Sequence, residues 1–261
     1  MSAILNVIEY DFKNFLRYKM WLVGLITMNL ADLFIQALIY NRILSKVVAA
    51  MISSYFNFFA PGLTVTCLFA SAFMIGREIN MERRREVHHY MLSLPMTRLE
   101  LAVGRVLSGG FRGMVYMTPL LLVCFAFVGI PTASQLLLIL FVLFLLAMGI
   151  SGLSIAIAVS TSNLEKFITA RGAVYYALFF CSSVFYPLAL IQSLGKQGTF
   201  PIPLVILAEI NPLTNASDMI RSFLHVGNIT FSVNMVYDVA IFSTIFTLIA
   251  AFAYIKIIER K

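Results

Sequence analysis

Apolar residues in this chain gather into runs long enough to cross a bilayer, separated by short polar intervals. Six such runs stand out: Trp21–Tyr40, Tyr55–Gly76, Val106–Val128, Gln135–Ser160, Gly172–Leu194 and Met235–Ile255. A hydrocarbon core about 30 Å thick asks for about 20 apolar residues per helix, and each run meets that length. The alternating segments of a membrane barrel are absent, which leaves helices as the spanning element that satisfies its own backbone in lipid. The pattern predicts an all-α membrane protein with six transmembrane helices, forming a single domain over residues 1–261.

Ahead of the first run the period changes. Ile4, Leu5, Ile8, Phe12, Phe15 and Leu16 recur at helical spacing, while Glu9, Lys13, Asn14 and Arg17 fall elsewhere. Residues 1–19 therefore read as an amphipathic helix lying on the membrane surface, and they lack the basic start and small-residue end of a cleavable signal. Between the fifth and sixth runs, residues 195–234 hold two stretches too short to span. One follows Phe200; the other follows the turn and helix start Asn211-Pro212-Leu213-Thr214. Such lengths suit re-entrant or interfacial helices on the outer side. Gly109 and Gly113, and Gly152, Ala156 and Ser160, place small residues four apart where helices can approach closely. Pro119 and Pro187 predict kinks.

Composition agrees with this class: 61% hydrophobic residues, 12% charged residues and a mean hydropathy of +0.91. The net charge of +7 changes the picture only once its distribution is read. With the N-terminus in the cytoplasm, fourteen Lys and Arg residues fall on inner segments and four (Arg42, Lys46, Lys196 and Arg221) on outer ones. Arg112 is left inside the third run. The bias orients the chain with both termini cytoplasmic, and it accounts for the basic balance without nucleic acid. The three cysteines, Cys67, Cys124 and Cys181, all fall in apolar runs, in no metal-ligand or disulfide spacing.

The inner charge is concentrated in residues 77–105, which hold six of the nineteen basic residues and four of the twelve acidic ones. A soluble partner would meet the protein there. No G-x-x-x-x-G-K-[ST] loop or other catalytic constellation is present, so this chain reads as no enzyme, and any ATP would be bound by another chain. His88 and His89 are adjacent and so do not share a helix face. In the first run Asn29, Asp32 and Gln36 form a polar stripe, which reads either as the lining of a substrate path or as a hydrogen-bonded seam between helices.

Three stretches in order resemble the permease subunits of ABC-2 type transporters. The first is Glu82-Arg83-Arg84-Arg85-Glu86, running through Leu94-Pro95-Met96-Thr97-Arg98, similar to that family's charged stretch with a Pro-x-[ST]-Arg ending. The second is Ser182-Ser183-Val184-Phe185-Tyr186-Pro187. The third is Asn211-Pro212-Leu213-Thr214 with the downstream Asp218 and Arg221. The chain departs from the family at Glu86-Val87 and His89, at Ser183 in place of a glycine, and at Tyr186, which leaves the subfamily and cargo open.

The resemblance implies a dimer, with a second copy or a related permease, forming one pathway. It also implies separate ATP-binding subunits, which carry ATP and Mg and dock against a coupling helix. Glu82, Arg83, Arg84, Arg85, Glu86, Leu94, Pro95 and Arg98 are then the expected coupling residues. Phe185, Tyr186, Pro187, Asn211, Pro212 and Arg221 are expected at the pathway or its gate. The expected function is ATP-driven export across the cell membrane of an amphiphilic cargo such as a drug, lipid or small antibiotic. A lipid-linked glycan is the alternative. An ion-coupled carrier using Asp32 is a competing class, which a transport assay under a collapsed proton gradient separates.

Overall fold

The computed structural model of the chain describes residues 3–17, 19–43, 54–85, 96–161 and 163–259. Among them every regular element is an α-helix. In chain order these are α1 (Ala3–Arg17), α2 (Lys19–Ile43), α3 (Tyr55–Ala72), α4 (Ile75–Arg84), α5 (Arg98–Phe127), α6 (Ala133–Ser160), α7 (Leu164–Phe180), α8 (Leu188–Lys196), α9 (Ile202–Glu209), α10 (Pro212–Phe223) and α11 (Val233–Glu259). Four helical stretches are long and apolar enough to cross a membrane: Tyr55–Arg84, Arg98–Phe127, Ala133–Ser160 and Val233–Ala253. The first apolar run, Trp21–Tyr40, falls within α2.

The centre of the bundle is α3, which is apolar on every side and buried on nearly every side. It packs on α5, α2 and α10, and α5 packs in turn on α6. The small residues sit where the helices close up. Gly109 faces Ser151, Gly113 faces Ala147 and Ala72, and Gly152 of α6 lies against the backbone of Phe246 on α11. Association in lipid depends on this kind of close contact, because the tails are as apolar as leucine. A second apolar cluster at the charged end joins Val7 of α1 with Ile75, Ile79, Leu101, Ile155 and Phe167.

Two sequence-based boundaries move. The helix begun at Tyr55 does not stop at Gly76. After a bend at residues 73 and 74 it continues as α4 to Arg84, inside the charged block. At the bend Ser154 of α6 donates its hydroxyl hydrogen to the Phe73 carbonyl and accepts from the Gly76 N–H (3.2 Å). A hydroxyl inserted into the helical ladder bends it, and a Cβ at residue 76 would collide with the Ser154 backbone. The third apolar helix begins at Arg98, eight residues before Val106. Thr97 caps it, accepting from the Glu100 N–H at 3.2 Å while its own N–H donates to the Glu100 carboxylate at 2.8 Å. The Pro-x-Thr-Arg ending is thus the start of a capping box.

The run predicted as one helix over Gly172–Leu194 is two. α7 stops at Phe180 and α8 begins after Pro187. Pro187 brings no N–H to a helical ladder, and the carbonyls freed in the break are taken up by α10.

Candidate functional site

Two polar assemblies are built into this apolar bundle. The first clasps α1, α4 and α5. Glu78 and Glu82 lie one turn apart on α4, and Arg105 and Arg112 lie two turns apart on the antiparallel α5. Arg105 is fully buried and bridges two helices: Nη1 donates to Asp11 Oδ1 and Nη2 to Glu82 Oε2, each at 2.5 Å. Arg112 Nη1 donates to Glu78 Oε2 at 2.6 Å, and its guanidinium sits 4.5 Å from the Phe15 ring centroid. α1 therefore holds a buried acid and an aromatic face against the same two arginines. Burial pushes the Asp11 carboxyl above its usual range, and Arg105 opposes that shift.

Arg83 adds a fourth helix. Its Nη1 donates to the carbonyls of Ala158 (3.1 Å) and Thr161 (3.3 Å), covering the open C-terminus of α6, where a cation is favoured. Of the expected coupling residues, then, Glu82 and Arg83 point inward and are engaged within the chain. Arg84, Arg85 and Arg98 are exposed at the ends of α4 and α5. Glu86, Leu94 and Pro95, like His88 and His89, lie outside the described residues.

The second assembly joins two of the three sequence stretches into one structure. Arg221 on α10 is fully buried. Its Nε donates to the Phe58 carbonyl (3.0 Å), Nη1 to the Ser183 carbonyl (2.9 Å) and to Asp218 (2.6 Å), and Nη2 to the Val184 carbonyl (3.1 Å). The guanidinium also lies 3.6 Å from the Phe58 ring centroid. Irregular backbone in an apolar bundle is tolerated where protein groups satisfy it, and the Arg221 guanidinium takes two of the carbonyls in the break after α7. Its burial takes Arg221 out of the four charges that the sequence count assigns to outer segments.

Asn211 caps α10 by accepting from the Leu213 N–H, with Pro212 at the first helical position. Asn211 Nδ2 also reaches the Leu178 carbonyl of α7 at 2.8 Å. Phe185 lies between Phe59 and Phe179, at ring-centroid distances of 5.6 and 5.0 Å. Tyr186 donates to the Phe180 carbonyl at 2.7 Å.

The polar stripe of α2 is only partly joined to this core. Asn29 Nδ2 donates to the Tyr116 hydroxyl at 2.8 Å, which makes it part of a seam with α5. Asp32 and Gln36 are half-buried.

Sequence reading missed the pairing of Asp11 with Arg105, although Asp11 falls on one helix face with Val7 and Phe15. It also missed that Glu78, Glu82, Arg105 and Arg112 form a ladder. The signal was available: across an antiparallel pair, partner numbers have nearly constant sums, and 78 with 112 and 82 with 105 obey that rule.

Comparison with curated proteins finds no match to this chain. The profile of the ABC-2 type transporter membrane domain matches residues 3–225, a span that takes in both polar assemblies and all three sequence stretches. On that match, the chain belongs to the ABC-2 type transporter family.

Proposed function

We infer that the chain is the membrane permease component of an ABC-type transporter, itself non-catalytic, a reading that its family membership supports. We propose that it is a six-span subunit with cytoplasmic termini, that two permeases pair to form one pathway, and that ATP-binding subunits dock beneath residues 77–105. The pathway exports an amphiphilic cargo, and ATP and Mg²⁺ belong to the partner. The observation that carries this reading is the ion-paired clasp of α1, α4 and α5. A push on the segment between Arg85 and Met96 arrives at the ends of α4 and α5. Arg105 and Arg112 tie those ends to each other and to the interface helix. A soluble motor pressing there would tilt the helices together rather than fray a loop, which suits switching between two packed states.

In this reading Arg84, Arg85 and Arg98 face the partner together with Glu86, Leu94 and Pro95, while Glu82 and Arg83 brace the contact from within. The α8–α9 pair and α10 form the re-entrant outer part. Phe185, Tyr186, Pro187, Asn211 and Pro212 sit at its gate, held in place by Arg221. The test is co-purification with the ATP-binding subunit and measurement of the complex's ATPase rate. Reversing the exposed charges, Arg84→Glu with Arg98→Glu, is expected to abolish association and stimulated hydrolysis. Unchanged association and turnover would remove the docking claim.

A further inference from the structure

A cavity of about 560 Å³ opens between α1 and α4, at the charged end of the bundle. Both carboxylates on its wall are already committed, Glu78 to Arg112 and Glu82 to Arg105. Three other arginines line it, Arg17 from the last turn of α1 and Arg77 and Arg85 from α4 and its C-terminal cap. All three are exposed, and none makes an ion pair or side-chain hydrogen bond among the described residues. Arg112, 95% buried, also lines the cavity, and its Nε has no acceptor. The site thus has a surplus of positive charge with unused donors.

The rest of the lining is the polar Asn14 and the apolar or aromatic Tyr10, Phe15, Met74 and Met81. On α1 Leu5 and Leu16 are 53% and 40% exposed, apolar surface of the kind an interfacial helix lays into lipid.

We propose that this cavity binds the phosphodiester headgroup of an anionic lipid, the phosphate between Arg17 and Arg77 and the glycerol against Phe15 and Met81. Phosphate chemistry alone would admit a soluble phosphate too. The apolar wall selects the lipid, because a small free anion would leave that wall wet, whereas a glycerolipid covers it. The volume lies in the ordinary range for a ligand of that size, about 300–1,000 Å³. A lipid held here would bridge α1 to the helix that runs into the proposed docking segment. The site rests on α1 lying at the inner membrane surface and not on the docking reading, so its test uses the permease alone.

Purified permease is examined by native mass spectrometry after equilibration with phosphatidylglycerol or phosphatidylcholine. Phosphatidylglycerol should be retained preferentially, and each arginine removed should weaken retention about fivefold. Arg17→Gln with Arg77→Gln should therefore lose most of the preference. Arg77→Lys keeps the charge and should largely retain it. Lys166→Gln, on α7 and outside the cavity, should leave lipid binding unchanged. Equal retention of the two lipids, or preference that survives in the double variant, would overturn the site. So would soluble glycerol 1-phosphate competing as tightly as the lipid.

Discussion

A fully buried arginine in an apolar bundle has to be matched donor for donor, and Arg221 is. Five acceptors and an aromatic face surround it, three of the acceptors backbone carbonyls and two of those exposed by the break after α7. A lysine carries a single point charge and cannot fork to acceptors on three sides. Arg221→Lys is expected to destabilise nearly as much as Arg221→Met, because either leaves backbone carbonyls unpaired, and Met also strips Asp218 of its cation. The loss should be roughly 3–5 kcal/mol, the usual result of removing one partner from a buried pair. Thermal exposure of the buried thiols of Cys67 and Cys124 to a fluorogenic reagent reports it. Arg105 makes a sharper comparison, since it serves two acids. Asp11→Asn leaves Arg105 paired with Glu82 and should cost clearly less than Arg105→Gln, which strands both Asp11 and Glu82. Equal losses in the same thermal assay would mean that Glu82 contributes nothing to holding Arg105.

Among the elements, α5 begins with its strongest local signal. The Thr97–Glu100 capping box satisfies the first orphan donors of a helix that carries Arg105 and Arg112 farther along. Thr97→Ala should cost about 1 kcal/mol. Hydrogen exchange should accelerate in residues 98–101 while protection beyond Val106 stays unchanged. Spread of the effect to the whole helix would show that the cap sets its register rather than its end.

This helix start was present in the sequence as Thr97-Arg98-Leu99-Glu100. Hydropathy obscured it, because apolar runs mark where lipid begins and not where hydrogen bonding begins. The same confusion ended the second run at Gly76, whereas α4 carries the helix on through charged residues. Apolar length did reveal the four helices fit to cross a membrane, and helical periodicity the amphipathic α1. It could not reveal the break inside Gly172–Leu194, where the deciding partner, Arg221, lies some forty residues downstream. Nor could it pair Asp11 with Arg105, a contact made across 94 positions of chain. Periodicity reports what a helix faces, and only tertiary packing decides which charges are brought together.

At the scale of the whole molecule, the charged end is one mechanical unit. Arg83 holds the end of α6, Arg105 holds α1 and α4, and Arg112 holds α4 again one turn nearer the apolar core. If a motor works through this unit, weakening it should separate hydrolysis from transport rather than stop either at the docking face. The Glu78–Arg112 pair suits that test, because it is only partly buried at the acid and lies away from the exposed arginines proposed to meet the partner. Glu78→Arg alone puts two cations side by side, and Arg112→Glu alone puts two carboxylates side by side. Each single reversal should leave the complex assembled and hydrolysing ATP. Cargo movement per ATP should fall about 5- to 150-fold, the range of a 1–3 kcal/mol coupling energy. The double reversal restores an opposite-charge pair in the same place and should recover much of the loss. The Phe15 ring, which now faces a cation, would then face a carboxylate, so recovery should be partial. Transport per ATP that is unchanged in both single variants would locate the coupling elsewhere. Single variants that fail to assemble with the ATPase would instead make this pair part of the docking surface.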